Sequence, residues 1–327
     1  MEKRKAVVIA AVVAAATIGA AVVLTPVQAA ELSGKLAIAG STTVLPINQD
    51  CARIFVDMNP ALRISISGGG SGHGVRAVGE GVIDIGAASR DIKTEEMARY
   101  PDLNPVVIGM DSVAVVVHPG NPVSEVTMEQ VSKIFSGEIR NWKDVGGKDA
   151  EIRVITRDEG SGTREVFEEN VMKPWGKELA REASVKPSNG EVRATVAGDE
   201  KSIAYLSLGY VDPTLKALMI DGAKATVDNV LSGDYAISRN LYLITKGAPE
   251  PLENAFIAFV LSEEGQEVVE DMGYIKMVVD DAPSPTPEAM PEGAPAPEET
   301  PTTSGFEALF AIACVLASVY AMWGRRK

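Results

Sequence analysis

The sequence predicts an α/β fold built as two lobes, and three observations lead to this prediction. A short apolar strand, a turn rich in glycine and hydroxyl residues, and a helix follow one another several times along the chain. Two long apolar segments, residues 106–117 and 235–245, read as strands that cross between the lobes. The 327 residues, 46% of them apolar, suffice for one large domain or two medium ones with their own cores.

The strongest indication of a binding site is the turn between a predicted strand at residues 152–156 and a predicted helix at residues 164–172. Its glycines allow a ligand to approach the backbone, its hydroxyls lie beside the free N–H groups of the helix start, and its arginine is a planar cation suited to oxyanions. The candidate residues of this turn are Arg157, Ser161, Gly162 and Thr163. By itself the pattern also fits a capped helix with a surface arginine, so both interpretations remain open here.

Three further turns of the same kind follow the predicted strands at residues 36–39, 63–67 and 82–88. The first two turns lead into helical patterns, and the hydroxyl residues of the first are expected near a helix start. The candidates in these turns are Ser41, Thr42, Thr43, Ser71, Gly72 and Ser89.

Asp84 is unusual because it stands inside an apolar run, Val82–Ala88. It is either a hydrogen-bond acceptor that faces a ligand or a residue at a cap or an edge of the sheet. Both interpretations remain open here; in the first, the carboxylate would accept the proton of a protonated oxyanion and repel one without a proton.

Composition excludes several classes of function. The net charge of −14 argues against nucleic acid and against a basic face that binds anionic membrane. The two cysteines, Cys51 and Cys314, lie in very different segments, so we expect no disulfide. With only two histidines, His73 and His118, we expect no metal site and no cofactor.

Both ends of the chain are predicted to lie outside the fold. Residues 1–30 have a basic start, an apolar run and small residues before a cleavage point, as in a signal peptide, although the run is also long enough for an uncleaved anchor. Residues 280–304 are rich in proline and glutamate, which predicts a disordered tether. Residues 305–327 are an apolar span with a basic tip, which predicts membrane attachment with the main body outside.

This C-terminal end resembles the archaeal PGF-CTERM sorting signal, which combines a Pro/Thr-rich stalk, a Pro-Gly-Phe tripeptide, an apolar span and basic residues. Here the tripeptide is Ser304-Gly305-Phe306, with serine in the first position. The resemblance implies a protein of the archaeal cell surface that is tethered to the outer face of the membrane.

Residues 35–278 resemble the phosphate-binding proteins of PstS type, the solute receptors of phosphate ABC importers. The resemblance is carried by the four turns, in order and with the expected spacing, and by the stretches Phe135–Gly137, Asn141–Trp142, Ser207–Tyr210 and Leu261–Gln266. It implies a periplasmic-binding-protein-like fold of type II, with lobe 1 at residues 35–112 and 240–279, lobe 2 at residues 113–239, two crossover strands and the ligand between the lobes.

The same resemblance implies phosphate binding at Ser41, Thr42, Thr43, either Ser71 or the backbone of Gly72, Asp84, Ser89, Arg157, Ser161, Gly162 and Thr163. It implies delivery of phosphate to the permease subunits of an ABC transporter and no catalysis. The alternatives are a receptor for sulfate, molybdate or tungstate, a secreted phosphohydrolase that uses Ser71 or Ser161, and a phosphate sensor in signalling.

Overall fold

The computed structural model of this protein describes residues 32–277. The strands of this part are β1 (Gly34–Gly40), β2 (Leu62–Ser67), β3 (Ile85–Ala88), β4 (Leu103–Val117), β5 (Glu125–Val126), β6 (Arg153–Arg157), β7 (Ser184–Lys186), β8 (Ser202–Ser207), β9 (Lys216–Ala217), β10 (Met219–Ile220) and β11 (Ser238–Lys246). The α-helices are α1 (Leu45–Met58), α2 (Ser71–Gly79), α3 (Thr94–Arg99), α4 (Met128–Phe135), α5 (Gly162–Phe167), α6 (Asn189–Ala197), α7 (Val227–Ser232), α8 (Pro251–Leu261) and α9 (Glu263–Asp271).

One mixed sheet runs through the whole of this part, with the strand order β2-β1-β3-β11-β4-β8-β6-β7 and with β9 beside β4. Strand β1 is parallel to β2 and β3, and β6 is parallel to β7 and β8. The central strands β11 and β4 are antiparallel to each other and to their outer neighbours. The sheet therefore has a parallel group on each side of an antiparallel centre.

Strand β4 connects the two halves of the sheet. It pairs with β11 over residues 103–112 and with β8 over residues 113–117. The chain returns from the half with β8 to the half with β1 just before β11. At this point Ser112 Oγ and the Val113 N–H both donate to the carbonyl of Ile237, at 3.0 Å each. Two strand segments thus pass side by side between the halves.

The core is divided in the same way. One buried cluster contains β1, α1, α8 and the neighbouring strands, and a second contains residues 113–117, β8 and helices α4 to α6. Residues 113–117 are five consecutive apolar residues that are all fully buried, as expected for a strand covered on both faces. We refer to the half with β1 as lobe 1 and to the half with β8 as lobe 2.

The predicted helices and strands are present, with shifted boundaries at two places that matter for the site. Helix α1 begins at Leu45, after an N-cap at Val44, so the hydroxyl residues 41–43 form a turn before the helix. Strand β3 begins only at Ile85, because residues 81–84 form a turn and bends. The second shift places Asp84 before the strand.

Within residues 32–277, no helix is both long and apolar enough to cross a bilayer. The predicted signal peptide, tether and C-terminal span lie outside these described residues.

Candidate functional site

Four turns meet at the junction of the two lobes. Each follows the carboxyl end of a parallel strand (β1, β2, β3 or β6), which is where ligands bind in open α/β sheets. The polar side chains that these turns bring to the junction are at most 7% exposed: Ser41, Thr42, Thr43, Ser71, Ser89, Arg157, Ser161 and Thr163. We call these eight residues the donor cluster.

Three serines from three different turns form one hydrogen-bonded group. Ser41 Oγ donates to Ser89 Oγ at 2.9 Å, and the Ser89 N–H donates to Ser71 Oγ at 3.0 Å. The Thr43 N–H donates to Ser41 Oγ at 3.1 Å. Because a hydroxyl can both donate and accept, this group can adjust its donors to an anion without moving the backbone.

Gly162, the first residue of α5, allows the two lobes to approach closely. A Cβ at this position would overlap Ser71 Oγ of lobe 1 and would lie 3.0 Å from Ser89 Oγ. No side chain fits here while the lobes are in this arrangement. The glycine therefore has a steric role at the lobe contact.

Two further contacts join the lobes at the same place. The Gly72 N–H donates to the Gly160 carbonyl at 3.1 Å, and Thr43 Oγ1 lies 3.3 Å from Thr163 Oγ1. The sequence left open whether Ser71 or the backbone of Gly72 contacts the ligand in the second turn. The structure uses the Gly72 N–H in the lobe contact and places the Ser71 hydroxyl in the donor cluster.

Arg157 is the buried cation of the donor cluster, with 1% of its surface exposed. Its guanidinium donates to the carbonyls of residues 186 and 187 at 3.0 and 3.1 Å, to Asn189 Oδ1 at 3.3 Å and to Thr42 Oγ1 at 3.4 Å. All of these acceptors are neutral. Burial lowers the pKa of Arg157, and the charge of nearby Asp158 partly opposes this shift. A buried cation with neutral partners favours binding of an anion.

Asn189, the first residue of α6, belongs to the site although the sequence analysis did not select it. Its Nδ2 donates to Thr43 Oγ1 at 3.0 Å and to Thr42 Oγ1 at 3.4 Å. Its Oδ1 accepts from Arg157 Nη1 at 3.3 Å and from the Ser207 N–H at 3.4 Å. Its only local signal is a polar position at the start of a predicted helix, which is common to many capping residues.

A buried ion pair lies beside the donor cluster and was also missed. Asp111 Oδ2 accepts from Arg239 Nε at 3.0 Å and from Arg239 Nη2 at 2.6 Å, and Nη2 also donates to Thr43 Oγ1 at 3.0 Å. Burial raises the pKa of Asp111, and the charge of Arg239 opposes this shift. The detectable signal was an acidic residue between two apolar runs, the same signal that drew attention to Asp84.

The structure does not bring Asp84 into the donor cluster, and its expected role as the acceptor facing the ligand is corrected here. Its Oδ2 accepts from the Ala37 N–H at 2.7 Å, at the amino end of β3. Ser89 is five residues further along the strand, which corresponds to roughly 16 Å in extended chain. The carboxylate caps the amino end of β3 by accepting from the neighbouring strand β1, which matches the cap position named as the alternative role.

Two tyrosines hold the backbone of the first turn. Tyr210 Oη of lobe 2 donates to the Thr42 carbonyl at 2.6 Å, and Tyr274 Oη of lobe 1 donates to the Thr43 carbonyl at 2.9 Å. Burial raises the pKa of Tyr210 to about 12, so that its hydroxyl stays protonated and remains a donor. The turn is therefore fixed from both lobes.

A groove of about 690 Å³ opens between the lobes on the side of Arg239. An ion pair crosses it, because Glu165 of α5 lies 2.8 Å from Arg90 Nε and 2.9 Å from Lys93 Nζ of lobe 1. Arg90 is also held by two hydrogen bonds to Glu96, at 2.7 and 2.8 Å. We call the contacts of Glu165 with Arg90 and Lys93 the lobe latch.

Across the part of the chain that the structure describes, no group of three His, Cys, Asp or Glu residues is close enough to hold a metal ion. The potential of the site lies in its donors: several hydroxyls, an amide and one arginine meet, buried, where the two lobes contact each other. Such an arrangement can bind a small oxyanion.

Comparisons with known proteins give a consistent result. The profile of the PBP superfamily domain matches residues 25–264. The phosphate-binding protein PstS of Bacillus subtilis is 35% identical over 250 residues, covering 74% of this chain and 81% of that protein. PstS of Borreliella burgdorferi is 30% identical, with 73% of this chain and 89% of that protein covered.

Two crystal structures are also similar. A candidate phosphate ABC transporter substrate-binding protein from Clostridium perfringens, solved with bound phosphate, is 38% identical with a TM-score of 0.71, covering 75% of this chain and all of that one. An ABC-type phosphate transport receptor from Vibrio cholerae is 32% identical with a TM-score of 0.61, covering 74% of this chain and all of that one. The predicted two-lobed fold of type II is thereby confirmed.

Proposed function

Because the chain belongs to the PBP superfamily and, within it, to the phosphate-binding proteins of PstS type, we propose that it is a receptor for inorganic phosphate. It binds phosphate between its lobes and passes it to the permease subunits of a phosphate ABC transporter. The observation that carries this proposal is Arg157, a buried guanidinium whose partners are all neutral and include the Thr42 hydroxyl of the opposite lobe.

The donor cluster suits phosphate for a physical reason. A buried anion needs hydrogen bonds to nearly all of its oxygens, since otherwise the cost of removing it from water dominates. Hydroxyls and amides supply these bonds without adding several charges, and Arg157 adds one cation with two parallel donors. The close contact at Gly162 means that the site is complete only when the lobes are closed, which is the action expected of such a receptor.

A receptor for another tetrahedral oxyanion, such as sulfate, molybdate or tungstate, is the second candidate. The position of Asp84 supports this second candidate. The carboxylate that was expected to reject anions without a proton lies at the amino end of β3, whereas the donor cluster lies beyond its carboxyl end. Calorimetric titration of the purified protein with phosphate and with sulfate separates the two candidates. We expect phosphate to bind more tightly, and equal or reversed affinities would exclude the first candidate.

An enzymatic role is less consistent with the site. Ser161 Oγ accepts from the Arg164 N–H as a helix cap, and Ser71 Oγ is bound to Ser89, so neither contacts a histidine or carboxylate base among the described residues. Nucleophilic catalysis needs such a base. We therefore propose binding without turnover, and the purified protein should not hydrolyse a chromogenic phosphate ester.

We also propose that the protein works outside the cytoplasm on a membrane tether, which rests on composition alone. Residues 1–30 have the pattern of a signal peptide, and residues 280–304 join the body to the apolar span at residues 305–327. The full chain is expected in the membrane fraction of producing cells, whereas a chain ending at residue 279 is expected outside it. Recovery of both in the same fraction would contradict the tether.

A further inference from the structure

The ion pair between Asp111 and Arg239 lies where the two crossing strands meet the donor cluster. The two residues are register partners on β4 and β11, and their side chains are 0% and 2% exposed. Because both charges are buried against each other, the pair adds little net charge to the site. Its effect on a ligand must come from its hydrogen bonds.

Arg239 has a third contact in addition to its two bonds to Asp111. Its Nη2 donates to Thr43 Oγ1 at 3.0 Å, and Asn189 Nδ2 donates to the same oxygen, also at 3.0 Å. A threonine hydroxyl has two acceptor lone pairs and one hydrogen to donate. Both lone pairs of Thr43 Oγ1 are therefore filled by groups that can only donate.

The orientation of Asn189 is fixed by its own neighbours. Its Oδ1 accepts from the Arg157 guanidinium and from the Ser207 N–H, both of which can only donate. A flipped amide would place its NH₂ group against these two donors, so the amide nitrogen must face Thr43.

We propose that Arg239 is a positioning residue that, together with Asn189, makes the Thr43 hydroxyl an obligate hydrogen-bond donor to the bound anion. The inference rests on the proposed function and adds a determinant of affinity to it. The hydrogen of Thr43 has two possible acceptors: Thr163 Oγ1, at 3.3 Å, and an anion between the lobes. The ligand oxygen that faces Thr43 must therefore accept a hydrogen bond.

The test is a thermodynamic cycle in calorimetric titrations with inorganic phosphate. Thr43→Val removes the hydroxyl and keeps the shape of the side chain, and we expect about 10-fold to 100-fold weaker binding, as for a hydrogen bond to a charged group. Asp111→Asn with Arg239→Met removes the ion pair without leaving a buried charge, and we expect about 3-fold to 10-fold weaker binding. When all three changes are combined, removing the ion pair should have no further effect.

A matched control makes the same chemical change away from the site. Arg153 and Asp199 form an ion pair of 3.1 Å at the surface of lobe 2, and Asp199→Asn with Arg153→Met should leave phosphate affinity unchanged. If the neutral pair at the crossing strands prevents folding, Arg239→Lys replaces it. A lysine keeps a cation for Asp111 but lacks the planar fork that reaches Thr43, so it should weaken binding only when Thr43 is present.

The outcomes separate this inference from the proposed function. Failure of the unchanged protein to bind phosphate would overturn the proposed function. Phosphate binding in which the ion pair has the same effect with and without the Thr43 hydroxyl, or no effect at all, would overturn only the role of Arg239. Loss of the effect in the Thr43→Val background supports it.

Discussion

Gly162→Ala is a small change with a large expected effect on ligand binding. The added Cβ would overlap Ser71 Oγ and lie 3.0 Å from Ser89 Oγ, both of which belong to the opposite lobe. The added methyl disturbs a contact between the lobes, so the core within each lobe should stay intact. The substitution should therefore oppose lobe closure without unfolding either lobe.

The size of the effect follows from the cost of overpacking. Forcing one extra methyl into a well-packed contact costs about 1–3 kcal/mol. If the lobes must close to bind phosphate, this cost appears in the affinity as about 5-fold to 150-fold weaker binding. Stability should not fall by a similar amount, since alanine is a better helix former than glycine.

Calorimetric titration with phosphate measures the affinity, and thermal unfolding measures the stability. Gly190→Ala is the matched control, because Gly190 also lies in the first turn of a lobe 2 helix and a Cβ there would have only Ser188 Oγ nearby, at 3.8 Å. The control should bind phosphate like the unchanged protein. Binding by the Gly162→Ala variant within twofold of the unchanged protein would refute the closed-lobe contact as a requirement for binding.

Three other changes test separate parts of the structure. Glu165→Gln breaks the lobe latch to Arg90 and should weaken phosphate binding about 3-fold to 10-fold through faster release. The control Glu129→Gln changes an ion pair within one helix and should leave the release rate unchanged. Stopped-flow measurement of the phosphate release rates of the two variants tests this. Asp84→Asn should leave the ratio of phosphate to sulfate affinity unchanged, and a shift of that ratio in titrations would contradict its position at the amino end of β3, away from the donor cluster. Burial raises the pKa of the Cys51 thiol to about 12, so as the pH rises the thiol of the unfolded chain ionises before that of the folded chain. The free energy of unfolding should therefore fall by up to ~1.4 kcal/mol between about pH 9 and 10. Cys51→Ala should reduce this fall in denaturant unfolding, and an unchanged slope would exclude the thiol as its cause.

Much of the candidate site could be predicted because its signals are local. Glycine and hydroxyl residues after a short apolar strand mark a turn at the carboxyl end of a strand, and four such turns in order predicted Ser41, Ser71, Ser89 and Thr163. All four are buried in the donor cluster. The number of turns, rather than any one of them, made the prediction specific.

The choice between the two unusual acidic residues could not be made from the sequence. Asp84 and Asp111 both interrupt apolar segments, but Asp84 precedes β3 and bonds to β1 at the amino end of that strand, away from the donor cluster. Asp111 lies where β4 passes between the lobes, and its partner Arg239 is 128 residues away. Such a pairing depends on strand register, which local periodicity does not fix.

Asn189 was missed for a related reason. A polar residue at a helix start is usually a cap, and nothing near Asn189 in the chain shows that its amide reaches the turn at Thr42 and Thr43, about 146 residues earlier. Contacts of this kind arise only when the lobes come together.

A crystal structure of the protein grown with phosphate tests the central claim most directly. The account predicts one tetrahedral anion between the lobes, within hydrogen-bond distance of Arg157 and of hydroxyls from both lobes, including Thr43 of lobe 1 and Thr163 of lobe 2. An anion bound elsewhere, or one held by the residues of a single lobe, would contradict it.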